Sequence, residues 1–349
     1  MSKLCLPVAA RSSNTAKIIS LFSLLPLISA CGLSPYDLDR ESDRNAMIAS
    51  IKSSLNGGNC SGALEKSLPL FESKYSTNEV RMLHASSYGC KAGIKLLPLL
   101  TQLTQGDFSA SVTGNPLTNP LIMKMFNTLA RMFPSNAATD ANLQSLWLMQ
   151  DVLQSVVEPG SVISTFDQNV INAYNTGSLL YRDRTDDSNT LLMFSSMALL
   201  GTMLNRYGNP NTGSGYTQGK NFASTWSNEL AIKNDSTESA CSLASSILNM
   251  QDGLSVMSVV SSGSLSTILS LINLGLDELI QAGKQRCENG ATNKYSDGNS
   301  GVTYGSTRCN SAVQRLRYRN ACYETDKDRD PVIAYAFGVL LAVDGSWSN

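Results

Sequence analysis

The chain has 349 residues, with 27 Lys and Arg against 28 Asp and Glu and a formal net charge of −1. That balance excludes the strongly basic surface of a nucleic-acid binder, so no nucleic-acid partner is expected. Charged residues make up only 16%, which leaves Ser, Asn, Thr and Gln to supply most of the polar surface, and the length suffices for one large domain or two smaller ones.

Lys3, Arg11 and Lys17 give the chain a positive start with no acidic residue. Ile18 to Ala30 is then an uncharged, mostly apolar run. It has the length of a signal-peptide core and is too short to span a bilayer comfortably. It ends in Ile28-Ser29-Ala30-Cys31, small residues directly before a cysteine. This pattern resembles the bacterial lipobox. The resemblance implies that residues 1–30 are removed as a lipoprotein signal peptide and that Cys31 becomes the diacylated, N-acylated first residue. The rival reading is an ordinary cleaved signal followed by a free or disulfide-bonded Cys31. A lipidated Cys31 would hold firmly, because two or more acyl chains suffice for stable anchoring. Gly32, rather than Asp, follows it. By resemblance to enterobacterial lipoproteins, this implies export to the outer membrane of the cell envelope. Residues 31–42 then read as a lipidated tether reaching no more than roughly 40 Å.

From there the hydrophobic spacing is helical almost throughout. Ala46, Ile48, Ile51 and Leu55 mark a first helix that ends at Gly57-Gly58. Ala63, Leu64, Leu68, Leu70 and Phe71 mark a second. Val80, Leu83, Ala85, Tyr88 and Ile94 mark a third, with Thr77 or Asn78 as its N-cap. NPLIMKMFNTLARMF and ATDANLQSLWLMQDVLQSVV follow, separated by Pro134-Ser135. FDQNVINAYNTGSLLYR and SNTLLMFSSMALLGTMLNRYG are joined by an acidic loop, Asp183 to Asp187. After the Gly- and Asn-rich stretch 208–220 come NFASTWSNELAIK, ESACSLASSILNMQDGL and SLSTILSLINLGLDELIQAG. The last two helices are NSAVQRLRYRNACYE and PVIAYAFGVLLAV, the latter with Asp330 as N-cap and Pro331 at its first position. No segment has the period of a strand. The expected fold is all-α, an irregular array of antiparallel helix pairs stapled by disulfides. Its expected parts are an N-terminal helical region, 43–207, and a C-terminal lobe, 221–349.

Two apolar stretches are read as buried rather than membrane-spanning. Leu191–Leu204 is too short. Gly253–Leu276 carries no charge but is rich in serine, and Ser262-Gly263 breaks it into a buried or groove-lining helix pair.

With Cys5 removed and Cys31 lipidated, six cysteines remain: Cys60, Cys90, Cys241, Cys287, Cys309 and Cys322. An even set in an oxidising compartment favours disulfides. Cys60 opens one helical pattern and Cys90 closes the next, so an antiparallel pair brings them side by side. Cys309 and Cys322 bracket a stretch read as one helix and would lie roughly 20 Å apart, beyond disulfide reach. Cys287–Cys309 with Cys241–Cys322 is the simplest remaining choice. A metal site is disfavoured, because no CxxC occurs and His84, the sole histidine, is remote.

Residues 57–94, GGNCSGALEKSLPLFESKYSTNEVRMLHASSYGCKAGI, resemble a tetratricopeptide-type helix hairpin. Gly58 with Ala63-Leu64 matches the start of one helix, and Ala85, Tyr88 and Gly93 match the small–aromatic–Gly positions of the next. The match covers about 38 residues, and no 34-residue repeat recurs after it. A fainter likeness is to the helical lipoproteins that accompany TRAP-type transporters.

Chemistry-bearing patterns are sparse. His84 sits among apolar neighbours in RMLHASSYG and reads as a packed helix histidine, with no G-x-S-x-G elbow to pair with. Asp326, Asp328 and Asp330 look like the start of a calcium loop. Pro331 and Phe337 stand where that loop needs Gly and Glu, so an acidic turn is the better reading. Glu72-Ser73 and Leu148-Met149-Gln150 echo lytic transglycosylase fragments but lie too far apart in sequence. Arg315, Arg317 and Arg319 do not share one helix face and are expected to pair with nearby Glu324, Asp326 and Asp328. No catalytic, cofactor-binding or metal-binding residue is assigned and no cofactor is expected. The expected function is that of a non-enzymatic outer-membrane lipoprotein whose concave helical surface binds another envelope protein. The alternative is a small-ligand carrier or transporter accessory with an apolar cavity lined by the Ser-rich helices at 243–280.

Overall fold

The computed structural model describes residues 36–94, 126, 129, 140–156, 183–208, 240–260, 264–289, 303–318, 335, 336, 338 and 339. Among them every bounded element is an α-helix and no strand forms. Three helices open the body: α1 (Glu41–Asn56), α2 (Cys60–Phe71) and α3 (Asn78–Lys91). Glu41 and Asp43 in the first turn of α1 suit the positive end of its dipole. The helix buries Met47, Ile51 and Ser54, spaced by four and three residues on one face. It stops at Gly57, and Gly58 turns the chain with a φ of +70°, a conformation open to glycine. Asn59 then caps α2, its side-chain oxygen accepting from the Gly62 N–H at 3.0 Å. Thr77 caps α3 in the same way through the Val80 N–H at 3.3 Å.

Met47, Ile51, Ala63, Leu70 and Val80 form the core of this three-helix unit. Tyr36 and Leu38 pack against it, so the part of the expected tether from residue 36 onward is docked on the body. One apolar residue read as inward is not: Leu68 is 41% exposed.

A second group of helices follows: α4 (Asp140–Leu153), α5 (Asp186–Gly208), α6 (Ala240–Val260), α7 (Ser264–Asn289) and α8 (Ser306–Leu316). Neighbours in this order touch: α3 packs on α4, α4 on α5, α5 on α6, and α6 on both α7 and α8. Ala85 of α3 with Met149, Val152 and Leu153 of α4 and Leu192 of α5 joins the two groups. A larger core runs from Phe126 and Leu129 through α4–α8 to Tyr335, Ala336 and Val339. It contains residues from both sides of 208–220, a stretch that falls outside the described residues beyond Gly208.

Several helix ends differ from the sequence reading. The α4 helix stops at Leu153, where Gln154 and Ser155 turn and their side chains find buried partners. The α8 helix begins at Ser306 and stops at Leu316, well short of Glu324. At that point Arg317 leaves the helix to meet a carboxylate in the interior. The expected helices 221–233 and 166–182, and Asp330 with Pro331, lie outside the described residues. No helix among those described is long and apolar enough to cross a membrane.

Candidate functional site

The polar centre of the second group is built around Asp252. It is the one charged residue between Ala240 and Leu276, and it is buried on α6. A lone carboxylate inside a protein must be paired, because its desolvation costs several kcal/mol. Two arginines do this. Arg184, just before α5, reaches Asp252 Oδ2 with Nη2 at 2.6 Å and donates to Asn249 Oδ1 at 2.9 Å. Arg317, just after α8, forks onto both carboxylate oxygens, with Nε 2.9 Å from Oδ2 and Nη2 3.0 Å from Oδ1. The Arg184 side chain is fully buried, and that of Arg317 is 7% exposed.

Local structure explains why these groups converge. Asn249 and Ser245 precede Asp252 by three and seven residues, so all three share one stripe of α6. The carbonyl oxygen of Arg317, at the end of α8 where backbone carbonyls lack intrahelical donors, is itself a hub. It accepts from Gln154 Nε2 at 2.5 Å, Ser245 Oγ at 2.8 Å and Asn249 Nδ2 at 3.1 Å. Gln154 belongs to the end of α4, and the Thr185 N–H bonds the Val156 carbonyl beside it. The end of α4, the approach to α5, the middle of α6 and the end of α8 therefore meet at one charge-assisted network. Gly253 permits it: a Cβ there would stand 2.5 Å from the Asn189 carbonyl oxygen and would overlap Met193.

The arginines at 315 and 317 part company. Arg315 stays in the last turn of α8, while Arg317 turns inward onto Asp252, a partner other than the expected Glu324, Asp326 and Asp328. Arg319 and those three acids lie outside the described residues. The sequence reading missed Arg184, Asp252, Asn249 and Gln154. One signal was available, namely a single charge in the middle of an otherwise uncharged helical stretch.

The Ser-rich stretch serves this interior. Ser242, Ser245 and Ser246 are fully buried. The Trp147 indole donates to Ser242 Oγ at 3.2 Å, and Gln150 Nε2 donates to Ser196 Oγ at 3.1 Å. A second buried link joins the two groups of helices, with Arg81 Nη1 donating to the Ser155 carbonyl at 2.8 Å.

His84 is packed, as its apolar neighbours imply. It stacks on Phe71 with ring centroids 4.3 Å apart and meets the Tyr88 ring at 5.0 Å. Its Nδ1 lies 2.7 Å from Ser67 Oγ, and that hydroxyl donates to the Leu64 carbonyl. Both side chains are buried, and burial holds the imidazole down at about 4. It is therefore neutral at physiological pH, wedged between α2 and α3.

Cys60 is joined to Cys90, with Cα atoms 5.3 Å apart, and Cys287 to Cys309 at 5.9 Å. The first bond closes the top of the α2–α3 hairpin. The second ties the end of α7 to α8, reinforced by the Tyr304 N–H bonding the Cys287 carbonyl at 3.0 Å. Cys241, at the start of α6, is disulfide-bonded, and its partner lies outside the described residues, as do Cys31 and Cys322. Among the described residues no group of three or more His, Cys, Asp or Glu is placed to hold a metal ion. Comparison with protein-family models, curated proteins and solved structures finds no match to this chain.

Proposed function

We propose that the chain is a lipid-anchored, non-enzymatic protein of the cell envelope, held at the outer membrane through Cys31, whose helical surface binds another envelope protein. The single observation that carries this reading is Ile28-Ser29-Ala30-Cys31 at the end of an uncharged apolar run. The bonds Cys60–Cys90 and Cys287–Cys309 support it, since structural disulfides persist in oxidising compartments outside the cytosol.

A binding role draws support from how the polar interior is used. Both oxygens of Asp252 are engaged by guanidinium groups, and Ser67 with His84 is shut between helices. These groups hold helices together. The succession of α1, α2 and α3, with Ala85 buried and Gly93 at a φ of +78°, supports the tetratricopeptide-like reading of residues 57–94. Arrays of that kind offer extended surfaces to other proteins.

Mass spectrometry of the mature N-terminus tests the anchor: acyl chains on Cys31 are expected, and an unmodified Cys31 overturns it. Affinity capture of the lipidated protein from envelope extracts tests the partner. A stoichiometric envelope protein is expected, and recovery of none overturns the binding role.

A further inference from the structure

The segment that leads from Cys31 into the body is clamped to one end of the first three helices. Asp37–Arg40 forms a turn closed by the Arg40 N–H on the Asp37 carbonyl at 3.0 Å. The Asp37 side chain accepts from the Asp39 N–H at 3.1 Å, and the Asp37 N–H bonds Asp43 Oδ2 at 3.0 Å. Arg44 Nη1 then grips the Leu38 carbonyl at 2.7 Å. The other jaw is Tyr75, in the turn between α2 and α3. Its hydroxyl donates to Asp39 Oδ1 at 2.8 Å, while Lys74 Nζ lies 3.2 Å from the same oxygen. The Tyr75 ring carries the Arg44 guanidinium at 4.1 Å from its centroid. Tyr36 and Leu38 add apolar contact with the core of the three-helix unit.

This clamp fixes a direction. Only five chain steps separate Tyr36 from Cys31, a reach of roughly 17 Å when fully extended. The α2–α3 turn lies at the clamped end. Cys60–Cys90 and the Asn56 end of α1 lie at the other, about 18 Å away along the helix rise.

We propose that the end formed by Tyr36–Arg40 and the α2–α3 turn, Glu72–Thr77, is the face turned to the lipid surface, with Tyr75 as the residue that sets this orientation. The proposal rests on acylation of Cys31. Held so, the Cys60–Cys90 end of the hairpin is directed away from the membrane. Releasing the clamp frees residues 36–40 and lengthens the tether to roughly 35 Å, enough for the body to turn over.

The test uses the full lipidated chain on vesicles of phosphatidylethanolamine and phosphatidylglycerol, with a photo-crosslinking amino acid placed at Glu72 or at Asn56. Both positions are exposed. Phospholipid adducts at 72 are expected to exceed those at 56 by fivefold or more. With Tyr75→Ala the ratio falls toward one while flotation with the vesicles is unchanged. Tyr75→Phe keeps the ring, removes only the hydroxyl and shifts the ratio in the same direction by less. Intact Cys60–Cys90 in each variant, seen by non-reducing mass spectrometry, shows that the hairpin still folds. Flotation with equal adducts at the two positions, or a preference unaffected by Tyr75→Ala, overturns the orientation alone. Failure of the native chain to float overturns the anchor and the orientation with it.

Discussion

Arg317 and Asp252 stand 65 residues apart in the chain and meet in the interior as a two-pronged ion pair, with N–O distances of 2.9 and 3.0 Å. Arg184 approaches the same carboxylate from the other side at 2.6 Å. Such a cluster adds little beyond what an apolar core would give, but removing one member leaves buried charge uncompensated.

Replacing Asp252 by Ala should therefore destabilise the protein by about 3–5 kcal/mol. The midpoint of urea unfolding, measured with the disulfides intact, checks it. A loss below about 1 kcal/mol would show that the two guanidinium groups find compensation elsewhere.

Gly253→Ala tests the close approach of α5 and α6 beside that cluster. The added methyl would press on Met193 and the Asn189 carbonyl, both parts of α5. Backbone cannot yield as a side-chain tip can, so a cost of about 1–3 kcal/mol is expected. Unchanged thermal stability would mean that the helices separate without penalty.

His84 makes stability depend on pH. Burial holds its imidazole at about 4, against an ordinary 6.5. Above 6.5 the ring is neutral in both folded and unfolded chains, and the fold has its full stability. As pH falls from 6.5 toward 4, the unfolded chain takes up a proton that the folded chain refuses. Stability is lost across that window, reaching about 3 kcal/mol near pH 4. His84→Gln should flatten this part of the profile, and an identical slope in the variant would rule the residue out.

The bond Cys60–Cys90 closes a loop with a sequence separation of 30. Loop entropy puts its contribution at about 3–4 kcal/mol. Replacing both cysteines by Ser should lower stability by that order and speed amide exchange in α2 and α3 before α5 and α6. Uniform exchange across all helices would contradict the separate core seen for the first three.

The third disulfide follows from the proposed anchor. Cleavage removes Cys5, and a thioether-linked lipid on Cys31 leaves that residue no thiol. Cys241, which is disulfide-bonded, then has Cys322 as its partner. Non-reducing peptide mapping should recover a Cys241–Cys322 peptide, whereas a Cys241–Cys31 peptide would refute the lipid anchor as well.

Much of the helical plan was legible in the chain. Periodic apolar residues, Thr77 at a cap position, and Gly57-Gly58 at a stop are local signals, each acting within one turn of helix. The pair Cys60–Cys90 was legible too, because hairpin geometry brings the two ends together, whereas Cys287–Cys309 was only the simplest of the pairings left open. Leu68 was not legible, since an apolar residue on the outer face of a helix is common and carries no mark of its exposure.

Arg317 shows where local reading stops. Its chain neighbours include three acids, and proximity in sequence favoured them. In the fold, the end of α8 is delivered to the middle of α6, where the buried carboxylate of Asp252 must be paired and Arg317 meets it. The sequence by itself determined that the chain is helical, where many of its helices start and stop, and that Cys60 and Cys90 lie side by side. Only the tertiary structure decided that Asp252, Arg184 and Arg317 share one site and that residues 36–40 are held by Tyr75. Those contacts join segments tens of residues apart, so they depend on packing and burial, which no local pattern encodes.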